Sequence, residues 1–389
     1  MRPVSVALII LCQSTQALVY GGIALFLPLI REDVGLSFTQ AGTLAAASTI
    51  VYAVMQIPSG YLADRVGAKR LFLIGLIGTN LLAFSFAQLH SYGTLVANQA
   101  LSGFFRSLLF APGLLLISAL FPPARRATAL GLYVVGGFSS NVFLNTLGPI
   151  LVGPVGWRNL FRIFSTGGIL ILLLFWRLGS QGPSGSGKEQ VPLRHILTLF
   201  RYRLLWVIGA IQYVRLAVVS GLSFWLPSFI LVEKGYSLQV AGLLVALGAA
   251  VTAPSNFLGG YVSDRLRNPF LVIGTSLSML AITTVLLVHV HNLWLLLVVF
   301  AVNGFFVQFY FGPLFAVSIQ MLGPRTAGLT TGFGNFFANL GGVTFAYFLG
   351  AIKDATGSFA MGLYTLSGLC LFGLLCTLAL SRMKPIDTR

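Results

Sequence analysis

Apolar runs of about 20 residues or longer follow one another along nearly the whole chain, broken only by short charged or turn-rich connections. A helix rises about 1.5 Å per residue, so such a run matches the ~30 Å hydrocarbon layer of a bilayer. Strands of a closed membrane barrel would instead alternate over about ten residues. In lipid a helix bonds its own backbone groups internally, which is why runs of this length predict helices. The breaks divide the chain into twelve predicted spans, at roughly 5–30, 41–62, 70–88, 93–119, 127–152, 159–178, 203–231, 240–262, 269–289, 293–321, 327–352 and 359–381. Composition agrees. The 389 residues are 57% hydrophobic and only 8% charged, against about 25% charged in a soluble domain. The mean hydropathy is +0.91. The predicted class is an all-α integral membrane protein.

The N-terminal apolar stretch to about residue 30 is too long for a signal peptide and lacks a small-residue cleavage site, so it is expected to be the first span. The polar segment at 179–202, containing GSQGPSGSGKEQ, separates two predicted six-helix bundles, 1–178 and 203–389. The net charge of +16 sorts by side. The N-terminus, the even-to-odd connections and the C-terminus carry seventeen of the 24 Lys and Arg, the opposite side five, and the remaining two lie mid-span. The positive-inside rule places both termini in the cytoplasm. The basic balance thus reports topology and not a nucleic-acid partner. Cys12, Cys370 and Cys376 lie in apolar runs without metal-ligand spacing or a disulfide framework, and read as packing residues. No cofactor is implied, and no Ser/His/Asp or metal constellation suggests an enzyme.

The halves repeat each other at an offset of about 200 residues. FLPLIREDVGLSFTQAG at 26–42 matches WLPSFILVEKGYSLQVAG at 225–242, GYLADRVGAKR at 60–70 matches GYVSDRLRNPF at 260–270, and GFFRSLLFAP at 103–112 matches GFFVQFYFGP at 304–313. Parallel repeats of this kind build secondary transporters, with a substrate site near the bilayer midplane, although a duplicated bundle also serves as a bare scaffold. GYLADRVGAKR resembles the motif between the second and third helices of the major facilitator superfamily. The resemblance extends over nearly the whole chain. It implies twelve helices in two six-helix parallel repeats, alternating access by rocking of the halves, and a monomer. It also implies a conformational latch: Asp64 at the cytoplasmic end of the second helix, Arg65 and Arg70 in the motif's basic places, Gly60 and Gly67 at its turns, and Asp264 and Arg265 as the second-half counterpart. A carboxylate beside a helix N-terminus and arginines is stabilised by the helix dipole and charge-assisted hydrogen bonds. GNFFANLGG at 334–342, GAIKDATGSF at 350–359 and GWRNLFRIF at 156–164 look like segments of the anion:cation symporter branch. That likeness implies organic anions such as sugar acids as cargo.

Arg106 and Arg215 are the two cations in the middle of spans, far from either side. Arg106 is about 24 and 28 Å along a helix from its flanking breaks and Arg215 about 18 and 27 Å, too far for either side chain to reach water at the membrane surface. A charge at a helix centre costs about 2.5–3.5 kcal/mol on insertion scales. All eight acidic residues lie in connections, tails or span ends, so neither arginine has a carboxylate at its own depth. The expected partner is an anionic cargo, held by one bidentate guanidinium from each half. The alternative is an arginine bonded to backbone carbonyls at a broken helix. Gln16, Asn141, Asn145, Gln212, Tyr213, Gln308, Asn335 and Asn339 are further substrate-binding candidates. Each serves equally well as interhelical hydrogen-bond glue, worth about 0.6 kcal/mol. The aromatic residues of the fourth and tenth spans, Tyr310 among them, read mainly as packing. Anion symporters keep a basic residue on the seventh span, as Arg215 is here, and often one on the first, where this chain has Gln13 and Gln16.

The spans lack an embedded carboxylate or histidine for proton coupling. Gln99 stands where proton-driven members of the superfamily place an arginine, and Arg106 where some anion symporters place a glutamate. The favoured expectation is a carrier of small organic anions working by exchange or facilitated diffusion. The alternatives are a multidrug or amphiphile exporter of the same fold and a non-transporting membrane sensor. The expected location is a prokaryotic inner membrane.

Overall fold

The computed structural model describes residues 2–122, 126–179, 203–322 and 327–383. They are helical almost throughout, and no strand occurs among them. The first half holds α1 (Arg2–Leu25), α2 (Leu27–Val34), α3 (Phe38–Val66), α4 (Ala68–Phe86), α5 (Tyr92–Ala119), α6 (Arg126–Val155) and α7 (Trp157–Leu178). The second holds α8 (Arg203–Val232), α9 (Leu238–Leu266), α10 (Pro269–His289), α11 (Leu293–Phe309), α12 (Phe311–Leu322), α13 (Ala327–Thr356) and α14 (Ala360–Ser381). Among the described residues, eleven helical stretches are long and apolar enough to cross a bilayer. The remaining expected span, 127–152, coincides with α6, many of whose early side chains lie outside the described ones. The predicted linker lies outside the described residues from position 180 onward.

Two predicted spans are divided, and a proline follows each break within three residues. The span expected at 5–30 breaks at Phe26, which stands between α1 and α2 with Pro28 in the first turn of α2. The span expected at 293–321 breaks at Tyr310, three residues before Pro313. A proline has no N–H to offer the carbonyl four residues back, here Ala24 and Phe309. Proline alone is not sufficient, since Pro112 and Pro227 sit inside unbroken α5 and α8. At the second break the Phe309 carbonyl abuts Gly259, where a Cβ would collide with it.

The chain divides into two compact units, Met1–Gln190 with Ser237–Ala246, and Val191–Tyr236 with Leu247–Arg389. In the first, α3 packs along α5, α4 against α5 and α7, and α1 against α6 and α7. In the second, α8 packs along α13, and α14 against α10 and α8. Close approach needs a missing side chain at each main seam: Gly103 of α5 faces the Ser48 carbonyl of α3, and Gly341 of α13 faces the Tyr213 carbonyl of α8. A serine hydroxyl bonds across a seam in each unit, Ser59 to the Ser107 carbonyl at 2.7 Å and Ser255 to the Phe305 carbonyl.

The internal repeat is visible in the backbone. Gly67 and Arg267 hold matching places in the duplicated motif, and both have positive φ, +92° and +50°. Arg267 is the one non-glycine with positive φ among the described residues, a conformation that costs an L-residue about 1–2 kcal/mol. Asp33 and Glu233 also match, but their partners differ. Asp33 pairs with Arg158 at 2.8 Å, while Glu233 pairs with Lys353 at 2.8 Å and accepts the Phe359 N–H. The carbonyls at the end of α4 receive Arg158 (Ala87 at 2.9 Å, Leu89 at 3.0 Å), and those at the end of α10 receive Lys234 (Val288 at 2.7 Å, Val290 at 2.8 Å). Burial pulls the Lys234 ammonium below the usual lysine range, with the adjacent Glu233 opposing the shift. These cations satisfy orphaned helix ends.

Candidate functional site

Arg106 lies on α5 one turn beyond Gly103, at the seam where α5 meets α3. The same seam supplies its first partner, since Nη1 donates to Ser48 Oγ at 3.2 Å. Its guanidinium carbon sits 3.5 Å from the centroid of the Tyr20 ring on α1 and 5.1 Å from that of Tyr52 on α3. The electron-rich ring face attracts the cation, by about 0.5–2 kcal/mol depending on desolvation. Nε is buried and has no hydrogen-bond partner. Among the described residues Arg106 makes no ion pair.

Arg215 lies on α8 and is only 7% exposed. Its Nε donates to Gln212 Oε1 at 2.9 Å, one helical turn back. Its guanidinium carbon is 4.8 Å from the Phe311 ring centroid, in the first turn of α12. It too makes no ion pair among the described residues. In each unit one mid-span guanidinium therefore has an aromatic cover and a neutral hydrogen-bond acceptor, and pairs with no carboxylate among the described residues. A fork of N–H donors without a counter-ion is suited to a planar oxyanion.

Of the predicted polar candidates, the structure joins one to an arginine, Gln212 to Arg215. The Gln212 side chain also packs against Gly334 of α13. Tyr213, half-buried, presents its carbonyl to Gly341. The asparagine amides bond one turn back along their own helices: Asn141 to the Gly137 carbonyl at 3.3 Å, Asn145 to that of Asn141 at 2.8 Å, and Asn339 to that of Asn335 at 2.8 Å. Asn335 is exposed. Gln16 on α1 and Gln308 in the last turn of α11 are half-buried. Gln13 accepts the Tyr133 hydroxyl at 2.8 Å.

Of the predicted latch, Gly67 forms the turn into α4, and Arg70 is exposed on that helix. Asp264 and Arg265 are exposed at the end of α9, where Arg265 Nη1 donates to the Tyr261 hydroxyl at 3.2 Å. Gly60, Asp64 and Arg65 belong to α3, but their surroundings lie outside the described residues. Sequence reasoning missed Tyr20, Tyr52, Ser48 and Phe311. The available signal was a polar or aromatic residue at arginine depth on another span, which does not say which way a helix turns that residue.

Comparison with known proteins places this architecture. The sequence profile described as Major Facilitator Superfamily matches residues 9–346 and, in a second placement, 233–388. The chain is 25% identical over 380 residues to a D-galactonate transporter of Escherichia coli, covering 89% of this chain and 87% of that protein. It is 25% identical over 378 residues to a probable galactarate/D-glucarate transporter of Bacillus subtilis, covering 85% and 81%. A nitrite extrusion protein of Bacillus subtilis is 24% identical over 357 residues, covering 88% and 85%. Among solved structures, a bacterial homologue of the human lysosomal transporter Spinster, inward-facing and occupied, superposes with a TM-score of 0.84 at 18% identity over 97% of this chain and 96% of that one. These matches, together with the apolar helices and the duplicated half, make this a transporter and not an enzyme: the chain belongs to the Major Facilitator Superfamily.

Proposed function

We propose that this protein moves a small organic anion, a carboxylate or a close relative, across the membrane by alternating access, with Arg106 and Arg215 as anion ligands. The observation that carries the reading is Arg215, 7% exposed within an apolar span, bonded to a neutral glutamine and without a carboxylate among the described residues. Arg106 repeats the arrangement in the other unit, with a buried Nε left unbonded. A bound anion compensates such charges far better than an amide or a ring face does. The names of the relatives support this class of cargo, since they include transporters of galactonate, glucarate, hexuronate and nitrate. Exchange follows from the same electrostatics. Carrying two uncompensated guanidinium groups through a closed, drier intermediate is costly, and bound anion lowers that cost in both directions. The six-helix bundles 1–178 and 203–389 are the moving parts, the motif residues from Gly60 to Arg70 with Asp264 and Arg265 form the latch, and both termini face the cytoplasm of a bacterial inner membrane.

The test is uptake into proteoliposomes of a panel of mono- and dicarboxylates with nitrate, with and without internal anion. Saturable uptake stimulated by internal anion is expected for the wild type, and loss of it for Arg106→Ala and Arg215→Ala. An unchanged half-saturation in either variant removes that arginine from the site.

A further inference from the structure

Tyr310 stands at the break between α11 and α12 and is 0% exposed. Its hydroxyl has no hydrogen-bond partner. Buried tyrosine hydroxyls ordinarily find one, because an unpaired buried donor has given up its water for nothing. Tyr133 is equally buried, and its hydroxyl donates to Gln13 Oε1 at 2.8 Å, with the Leu109 carbonyl at 3.3 Å. If packing were the whole role of Tyr310, phenylalanine would fill the space without an orphaned donor.

The Tyr310 hydroxyl lies near the Arg215 guanidinium on one helix and the Cys370 thiol on another. The next residue, Phe311, covers Arg215, and the Tyr310 hydroxyl and the Arg215 guanidinium are close enough to interact electrostatically without bonding to each other. Gln212 occupies Arg215 Nε, so the two terminal nitrogens are the end of the fork that no described residue occupies. We infer that the Tyr310 hydroxyl is a companion donor to Arg215, the two together holding one planar oxyanion. The inference rests on the anion reading above and adds a donor to the same site. The guanidinium end takes two oxygens of the anion in its plane, and an oxygen so bonded keeps a further lone pair for a phenol O–H. Carboxylate and nitrate share this chemistry.

The test uses Tyr310→Phe and Tyr133→Phe in full-length protein, with labelled D-galactonate and nitrate as separate probes and thermal unfolding of the anion-free protein as a second readout. Tyr310→Phe is expected to raise the half-saturation about 10- to 150-fold, as losing a hydrogen bond to a charged group does, while its unfolding temperature holds or rises. A rise for one probe alone assigns the donor pair to that anion. Tyr133→Phe is expected to unfold at lower temperature with an unchanged half-saturation. An unchanged half-saturation in Tyr310→Phe, or a lower unfolding temperature, overturns the assignment and leaves Arg215 as a ligand. A wild type that moves neither probe nor any member of the carboxylate panel overturns the anion reading, and this assignment with it.

Discussion

The guanidinium carbon of Arg106 lies 3.5 Å from the centre of the Tyr20 ring, so a side chain of α1 covers one face of a charge carried by α5. The plane of the fork is thereby set by a neighbouring helix, and its buried Nε is held ready in that plane.

Replacing Tyr20 therefore tests the cover apart from the charge. Tyr20→Phe keeps the ring and is expected to leave anion half-saturation within about twofold. Tyr20→Leu removes a cation–π contact of about 0.5–2 kcal/mol and is expected to weaken half-saturation about two- to thirtyfold. Concentration-dependent uptake in proteoliposomes reads both.

Gln212 offers a stricter test of Arg215. In Gln212→Glu a carboxylate replaces the amide oxygen now 2.9 Å from Nε, giving the arginine an internal counter-ion. Anion uptake is expected to fall at least tenfold, about 1.4 kcal/mol, while the protein still folds. Transport at the wild-type rate would show that Arg215 need not be free of a carboxylate.

The Glu233–Lys353 pair carries a stability prediction with a direction. Lys353 is 7% exposed and donates to Glu233 at 2.8 Å and to the Gly357 carbonyl at 2.6 Å, while Glu233 also accepts the Phe359 N–H and the Ser358 hydroxyl. Glu233→Ala removes the carboxylate from a buried ammonium that still donates to the Gly357 carbonyl at 2.6 Å, and also the acceptor of the Phe359 N–H and the Ser358 hydroxyl; it is expected to cost about 3–5 kcal/mol. Lys353→Met leaves Glu233 its other donors and is expected to cost less. Thermal unfolding in detergent ranks the two, and the reverse order would refute the argument.

Gly103 is predicted to tolerate no side chain, because its Cβ would strike the Ser48 carbonyl. Gly103→Ala is expected to destabilise by about 1–3 kcal/mol, through overpacking at a backbone that cannot swing away. Gly153→Ala, with nothing within 4 Å of the new atom, is the matched control. Equal unfolding temperatures for the two variants would disprove the seam.

The spans and the repeat were legible because bilayer thickness imposes a length on apolar runs, and a duplicated motif such as GYLADRVGAKR keeps its order. Arg106 and Arg215 were legible as charges in oil without nearby acids. Their surroundings were not. Whether Tyr20 or Gln16 turns toward α5 depends on the azimuth of α1, which a uniformly apolar helix does not encode by periodicity. Asn141, Asn145 and Asn339 looked like candidates, yet each bonds its own helix one turn back, a local choice open to any asparagine in a span. The breaks at Phe26 and Tyr310 were written in Pro28 and Pro313, but unbroken α5 and α8 show that a proline alone does not announce one.

At Ala24 and Phe309 the hydrogen-bond ladder already lacks a rung, because Pro28 and Pro313 cannot donate. Swivelling at either joint has one bond fewer to give up than in a continuous helix, although the Phe26 N–H still reaches the Gly22 carbonyl and the Leu314 N–H the Tyr310 carbonyl. Bending at these two joints therefore meets less enthalpic resistance than in a complete ladder, and one joint residue, Tyr310, directly precedes the ring that covers Arg215.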